Sequence, residues 1–312
     1  MPTERPQSPH GILVVDKPPG PTSHDVVARL RKSLGTREVG HAGTLDPMAT
    51  GVLVIALGEA TKLMPWLTHH DKVYSACIAL GAETDTCDAW GVETRRVELS
   101  LTLRDALHAA AAGARATIID DALAVELART SQVPPAYSAI HCDGERAYQR
   151  ARRGETLNLA PRAVSVRSLS LLGCTEHPPA LTVSVRVTKG YYVRALARDL
   201  ATSLGTVAHL SSLRRMRSGE FSLEYAVPGD SASEVLRGAI LPLADSAARA
   251  LPVAHLTCAG VVAARQGRTV AREQISSPAP DPCAWMAPSG QLVAIGRLDE
   301  NGQGRVIRGF RT

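Results

Sequence analysis

The chain has 312 residues, with 35 Lys+Arg against 30 Asp+Glu for a formal charge of +5, and is 45% hydrophobic and 21% charged. Those proportions exclude wholesale disorder, collagen and a long coiled coil, and the length suits one large domain plus a smaller one. No apolar run approaches the roughly 18 to 20 residues of a membrane span. Residues Met1–Pro9 hold no apolar run that could serve as a signal peptide, so a cytoplasmic protein with no membrane partner is expected. The six cysteines include no C-x-x-C pair, so neither a zinc cage nor a disulfide framework is indicated and no metal is expected. Five of the 35 cationic residues are lysine, so thirty are arginine, a side chain suited to bidentate phosphate contacts.

In chain order, residues 1–10 carry three prolines and no periodicity and read as a flexible tail. Thr22 or Ser23 caps a helix whose apolar stripe is Val26, Val27, Leu30 and Leu34, stopped by Gly35. Val52–Leu57 reads as a buried strand and Tyr74–Leu80 as another. Arg104–Ala112 and Gly144–Arg153 read as helices, the second placing Arg146, Arg150 and Arg153 on one face. Leu181–Thr188 alternates apolar and polar residues as a half-buried strand does. After a Lys189-Gly190 turn, Val193, Leu196, Ala197, Leu200, Ala201 and Leu204 recur at helical spacing. Residues 229–252 turn rich in Ala, Ser and Pro, a domain boundary. Beyond it, short apolar segments broken by Gly and Pro suit a small β-barrel with seven arginines against four carboxylates. The expected architecture is α+β: a mixed-sheet domain over residues 11–250, then the barrel over 251–312.

Gly40-His41-Ala42-Gly43-Thr44-Leu45-Asp46-Pro47-Met48-Ala49-Thr50-Gly51 is the most unusual segment. Its three glycines and one proline predict an irregular loop that presents the Asp46 carboxylate on a rigid strand; an Asx-type turn is the alternative. The chain lacks the phosphate loop, dinucleotide fingerprint, H-E-x-x-H and G-x-S-x-G patterns, so metal, nucleotide and serine-hydrolase chemistry lose ground. Asp85 and Asp88 read as turn organisers rather than as a carboxylate pair.

Residues Gly40–Gly51 resemble the signature of the TruB-type tRNA pseudouridine synthases. The resemblance continues in order through Asp16-Lys17-Pro18, Leu57–Lys62, Asp71–Tyr74, Thr84–Asp88, Pro134–Ile140, Lys189–Arg194 and Leu213–Arg215. It implies a pseudouridine synthase domain with a PUA-like barrel that isomerises uridine 55 in the T loop of tRNA. By it, Asp46 is the catalytic aspartate, Tyr74 stacks on the flipped base and Arg194 partners the aspartate. The same resemblance sets His41 against the T loop and Leu213 in the base pocket, and Lys17 and Tyr192, which lie in its matched motifs, are taken as substrate contacts; Arg146 and Arg150 are substrate contacts by their spacing, as a phosphate-tracking stripe whose alternative is a solvated face. His141 and Tyr191 depart from the family pattern.

The chemistry so implied breaks the N1–C1′ bond, turns the uracil and rejoins it through C5, with no redox change and no cofactor. Whether Asp46 attacks C1′, adds at C6 or takes a C2′ proton is left open. The expected partner is the tRNA T stem-loop, with no obligate protein partner and a monomeric chain. Two other readings stay open: an RNA-binding or RNA-folding protein using Asp46 structurally, and the guide-RNA-dependent dyskerin-type branch. Residues 101–160, long enough for an extra RNA-gripping subdomain, favour the stand-alone enzyme.

Overall fold

The computed structural model describes residues 9–138, 140–142 and 144–311. The expected tail therefore lies mostly outside the described residues, as does Ala139 of the Pro134–Ile140 motif. Among the described residues no helix is long and apolar enough to cross a membrane. The chain groups into two compact units. One takes the residues up to Pro47, Gly51–His70 and those from Arg217 on; the other takes Met48–Thr50 and Asp71–Met216.

In the first unit, β1 (Gly11–Lys17) lies between antiparallel β3 (Thr50–Leu57) and parallel β15 (Ala226–Pro228), so the sheet is mixed. Strand β2 (Val39–His41) extends β3 and β16 (Leu241–Pro242) pairs with β1. Helix α1 (Ser23–Leu34) forms as its sequence predicts. Thr22 and Asp25 make a reciprocal capping box, Gly35 closes the helix in the left-handed conformation, and Val26, Val27, Leu30 and Leu34 are buried. A 3₁₀ segment, Gly58–Leu63, and α2 (Met64–Leu67) follow β3. A continuous core joins Ile12, Val14, Val52 and Val54 through Leu243 and Ala247 of α8 (Leu243–Ala250) to Met286, Leu292 and Ile295 of the C-terminal strands.

Those strands form their own mixed sheet in the order β18 (Ile275–Ser277), β17 (Val253–Leu256), β19 (Cys283–Met286), β20 (Leu292–Leu298), β21 (Gly304–Gly309). Helix α9 (Cys258–Arg265) packs on it, and Val270, just before β18, bridges to Gly304 on the opposite edge. Trp285 fills the centre at 0% exposure. A Cβ on Gly296 would lie 2.1 Å from its ring, which is why that position has no side chain. The short α7 (Ser233–Gly238) lies against α1.

The second unit is built on the strand order β11 (Val166–Glu176), β12 (Pro179–Val187), β4 (Lys72–Leu80), β13 (Ala208–Ser218), whose last two residues pair with β14 (Phe221–Ser222) within the first unit. Alternation in β12 is realised: Leu181, Val183, Val185 and Val187 are buried and Arg186 is exposed. Helix α6 (Val193–Ser203) packs on β4, and α3 (Leu101–Ala111) and α4 (Thr117–Leu127) cover β11. Strands β5 (Ala82–Thr84) and β6 (Glu93–Arg96) form a hairpin, β7 (Ser131–Gln132) pairs with β10 (Arg162–Ala163), and β8 (His141–Cys142) pairs with β9 (Glu145–Arg146).

Two local expectations are corrected. The helix expected over Gly144–Arg153 is only α5, Ala147–Arg152, because Gly144 takes φ +85° in the turn between β8 and β9 and leaves Arg146 in a strand. Arg146, Arg150 and Arg153 therefore do not share one helical face. The Gly40–Gly51 segment is not wholly irregular either: Gly40 and His41 end β2, and Thr50 and Gly51 open β3, because both ends pair along the core strand or within it.

Candidate active site

The site residues expected from the sequence fall in both units. In the first, the loop after His41 is pinned on both sides of Asp46. Ser23 is fully buried and its hydroxyl grips Leu45 twice, accepting from the amide at 2.9 Å and donating to the carbonyl at 3.2 Å. On the other side, the Pro47 carbonyl accepts from the Gly20 amide at 3.0 Å and from Lys17 Nζ at 3.1 Å. Lys17 Nζ also donates to the Pro18 carbonyl at 2.8 Å. At the loop entrance the Ala42 amide donates to the Val54 carbonyl at 2.9 Å. Gly43 and Gly51 take φ of +103° and +97°, left-handed values that side chains resist, so these glycines let the chain turn at both ends. The result is a half-buried Asp46 between two immobilised neighbours.

Lys17, expected among the RNA contacts, is 0% exposed, with Nζ on the protein carbonyls of Pro18 and Pro47. His41 is half-buried and meets the ring of His24 edge-on at 5.1 Å.

In the second unit, Arg194 lies in the first turn of α6 and is 5% exposed. Its guanidinium donates to the carbonyls of Thr86 at 2.9 Å and Tyr137 at 2.8 Å, and Nε stands 3.9 Å from Asp88 Oδ2. Asp88 does organise a turn, as expected: Oδ1 accepts from Thr86 Oγ1 at 2.7 Å and the Trp90 amide at 3.0 Å. Its second oxygen, facing Arg194, is the part that sequence reasoning missed. The turn is tight enough to force Cys87 to φ +59°, rare for a residue with a side chain. Burial pushes the Cys87 thiol above its usual range.

Tyr74 is half-buried on β4 opposite Val185. Two residues before it, Lys72 is driven down to about 8 by burial and by the nearby Arg215 and Lys189 charges. Leu213 on β13 is 5% exposed, and its carbonyl accepts from Thr50 Oγ1 at 3.5 Å. Arg214 donates to the same hydroxyl at 3.4 Å, so the exit of the Gly40–Gly51 segment is tied to β13 inside this unit.

Tyr192 is the N-cap of α6, and its backbone is bound by the Gln132 side chain. Its neighbour Tyr191 has its phenol pushed far up by burial and by Glu126 and Asp199. Arg146 is exposed on β9, and His141 is exposed at the start of β8. Arg150 donates to Glu155 at 2.7 Å, and Arg153 ties the same Glu155 and Glu145 together. Arg150 and Arg153 thus sit on or directly after α5, separate from α6, and are engaged in ion pairs.

The profile of the TruB family pseudouridylate synthase (N terminal domain) matches residues 31–193. The chain belongs to the TruB family. Among its TruB-family relatives, tRNA pseudouridine synthase B of Cutibacterium acnes is 42% identical over 301 residues, covering 95% of this chain and 97% of that protein. That of Mycobacteroides abscessus is 44% identical over 271 residues, covering 85% and 86%. Among solved structures, a Cbf5-Nop10-Gar1 complex matches with TM-score 0.71 and 25% identity, over 97% of this chain and 84% of that one. An H/ACA RNP bound to a substrate RNA containing 2′-deoxyuridine shares the fold at TM-score 0.70 and 24% identity, over 97% of this chain and 86% of that one.

Proposed function

We propose that this TruB-family chain isomerises uridine to pseudouridine at position 55 in the T loop of tRNA, without a cofactor. The observation that carries this reading is Asp46: a carboxylate on a loop whose residues to either side are both held by hydrogen bonds, Leu45 by the buried Ser23 hydroxyl and Pro47 by Lys17 and the Gly20 amide. Such fixed presentation suits a group that must meet one atom of an extruded nucleoside. Asp46 supplies the reacting carboxylate and Arg194 the guanidinium, with Tyr74 stacking on the base and Leu213 lining its pocket. Flipping the base costs a few kcal/mol and stacking on an aromatic returns roughly 1–3 kcal/mol, so Tyr74 offsets much of that cost. His41, Tyr192, Arg146 and Arg150 contact RNA, and Lys17 holds the loop.

The domain plan is a synthase domain over 11–250 and a PUA-like RNA-binding domain over 251–312. The separate five-stranded sheet with its own Trp285-centred core supports it. The chain works as a cytoplasmic monomer with no obligate protein partner. Identity of 42% to a tRNA pseudouridine synthase B, against 25% to the chain of a Cbf5 complex, favours the stand-alone reading over the guide-dependent one.

The test is incubation of the chain alone with an unmodified tRNA transcript, followed by mass-spectrometric mapping of pseudouridine. Modification at position 55 is expected from the wild type, and none from Asp46→Asn, which should still bind the T arm. A wild type that needs a guide RNA, or an Asp46→Asn variant with normal turnover, would reject the reading.

A further inference from the structure

Helix α6 begins without help from its own N-cap residue. Tyr192 makes no side-chain cap bond, although the first amides of any helix lack partners within it. The partner comes from sixty residues earlier in the chain. Gln132 is 2% exposed, and its amide reads the Tyr192 backbone as a neighbouring strand would: Oε1 accepts from the Tyr192 amide at 2.9 Å, and Nε2 donates to the Tyr192 carbonyl at 3.2 Å. That carbonyl also accepts the first hydrogen bonds of the helix itself, from the amides of Ala195 at 3.1 Å and Leu196 at 3.2 Å. Gln132 is itself fixed by its backbone in β7, paired with Arg162.

The residues that follow run along the same helix. The Val133 carbonyl accepts from Arg198 at 2.9 Å, and the Tyr137 carbonyl accepts from Arg194 at 2.8 Å. Pro134 and Pro135 stiffen the stretch between these contacts. At its far end the Tyr137 hydroxyl donates to Asp85 Oδ2 at 3.3 Å, in the same turn that offers Arg194 the Thr86 carbonyl. Residues 132–137 thus form a strap fastened to α6 at three points.

Accordingly, we infer that Gln132 is a positioning residue: by locking the strap to the start of α6, its side-chain amide sets where the Tyr137 carbonyl holds the Arg194 guanidinium. This rests on the role proposed for Arg194 and adds a residue that does not itself touch RNA. An ordinary helix cap would contribute to stability alone. A positioning residue sets turnover as well, because misplacement by about 1 Å costs roughly 100-fold in rate.

Two variants test it, each assayed by pseudouridine formation on an unmodified tRNA transcript and by thermal unfolding. Gln132→Met keeps length and loses both hydrogen bonds; kcat is expected to fall roughly 10- to 100-fold with KM nearly unchanged. Gln132→Glu restores both bonds only when protonated, since the ionised carboxylate would face the Tyr192 carbonyl with no donor. Burial favours the neutral acid, so the variant's rate relative to wild type should climb as the pH falls from about 8 to about 6. If Gln132→Met does not fold, this pH profile decides alone. Wild-type kcat in folded Gln132→Met, or a relative rate in Gln132→Glu that is flat with pH, overturns the inference. Those outcomes leave the proposed function intact; only an inactive wild type or an active Asp46→Asn variant removes it.

Discussion

Replacing Lys17 with methionine separates two roles for a buried cationic side chain: contact with RNA, or retention of the Asp46 loop. Methionine matches the length of the stem and removes the donors. The Pro18 and Pro47 carbonyls are affected unequally. The Pro47 carbonyl keeps the Gly20 amide at 3.0 Å, whereas the Pro18 carbonyl loses the 2.8 Å bond from Nζ. Pro18 is exposed, so water replaces Nζ at its carbonyl, and each of the two lost bonds costs roughly 0.5–1.5 kcal/mol. Relief from burying an amine offsets part of this, so a net loss of about 0.5–2 kcal/mol is expected in urea unfolding.

The larger effect should be on rate. Pro47 is the residue after Asp46, and releasing it lets the carboxylate drift on the scale where about 1 Å costs roughly 100-fold. Single-turnover pseudouridine formation on a tRNA transcript measures this beside a filter-binding assay of the T arm. A slowed reaction with unchanged RNA affinity is expected. A variant of wild-type stability and rate that binds RNA more weakly would refute the loop-retention argument and return Lys17 to the RNA surface.

Further outcomes follow from the same geometry. Arg150→Gln should weaken T-arm binding and make the log–log salt dependence shallower by about 1, one phosphate's share. An unchanged slope would confine Arg150 to its ion pair with Glu155. Lys72 titrates near 8 in the fold against an ordinary 10.5, so across that window the unfolded chain binds more protons and stability rises with pH. Lys72→Met should lose this increment when urea midpoints are compared at about pH 7.5 and 9.5. Equal increments in both proteins would show that Lys72 is not desolvated as the structure implies.

Elements with local signals were legible from the chain. Helix α1 carried its cap, its stripe and its stop within fourteen consecutive positions, Thr22 to Gly35. Strand β12 alternated without interruption. By contrast, α4 follows Ala116, an N-cap with no side-chain bond to offer, and leaves Val125 and Leu127 exposed, so neither boundary nor period marks it. Strand β11 fully buries only Val166, and register shifts at Val166/Ser168 and Leu171/Gly173 break its alternation.

The candidate site divides in the same way. Asp46 could be found because glycine and proline around a carboxylate are a side-chain pattern, and side chains are what a sequence writes down. What holds Arg194 could not, since the Thr86 and Tyr137 carbonyls lie 108 and 57 positions away and every residue type carries a carbonyl. Gln132 was equally silent: nothing local says that its amide closes on a backbone sixty positions on. By itself, then, the sequence determined which reactive groups the chain possesses and the local turns that present some of them. Only the tertiary structure decided which backbone groups and distant side chains fix them in place, because those partners are chosen by proximity in space.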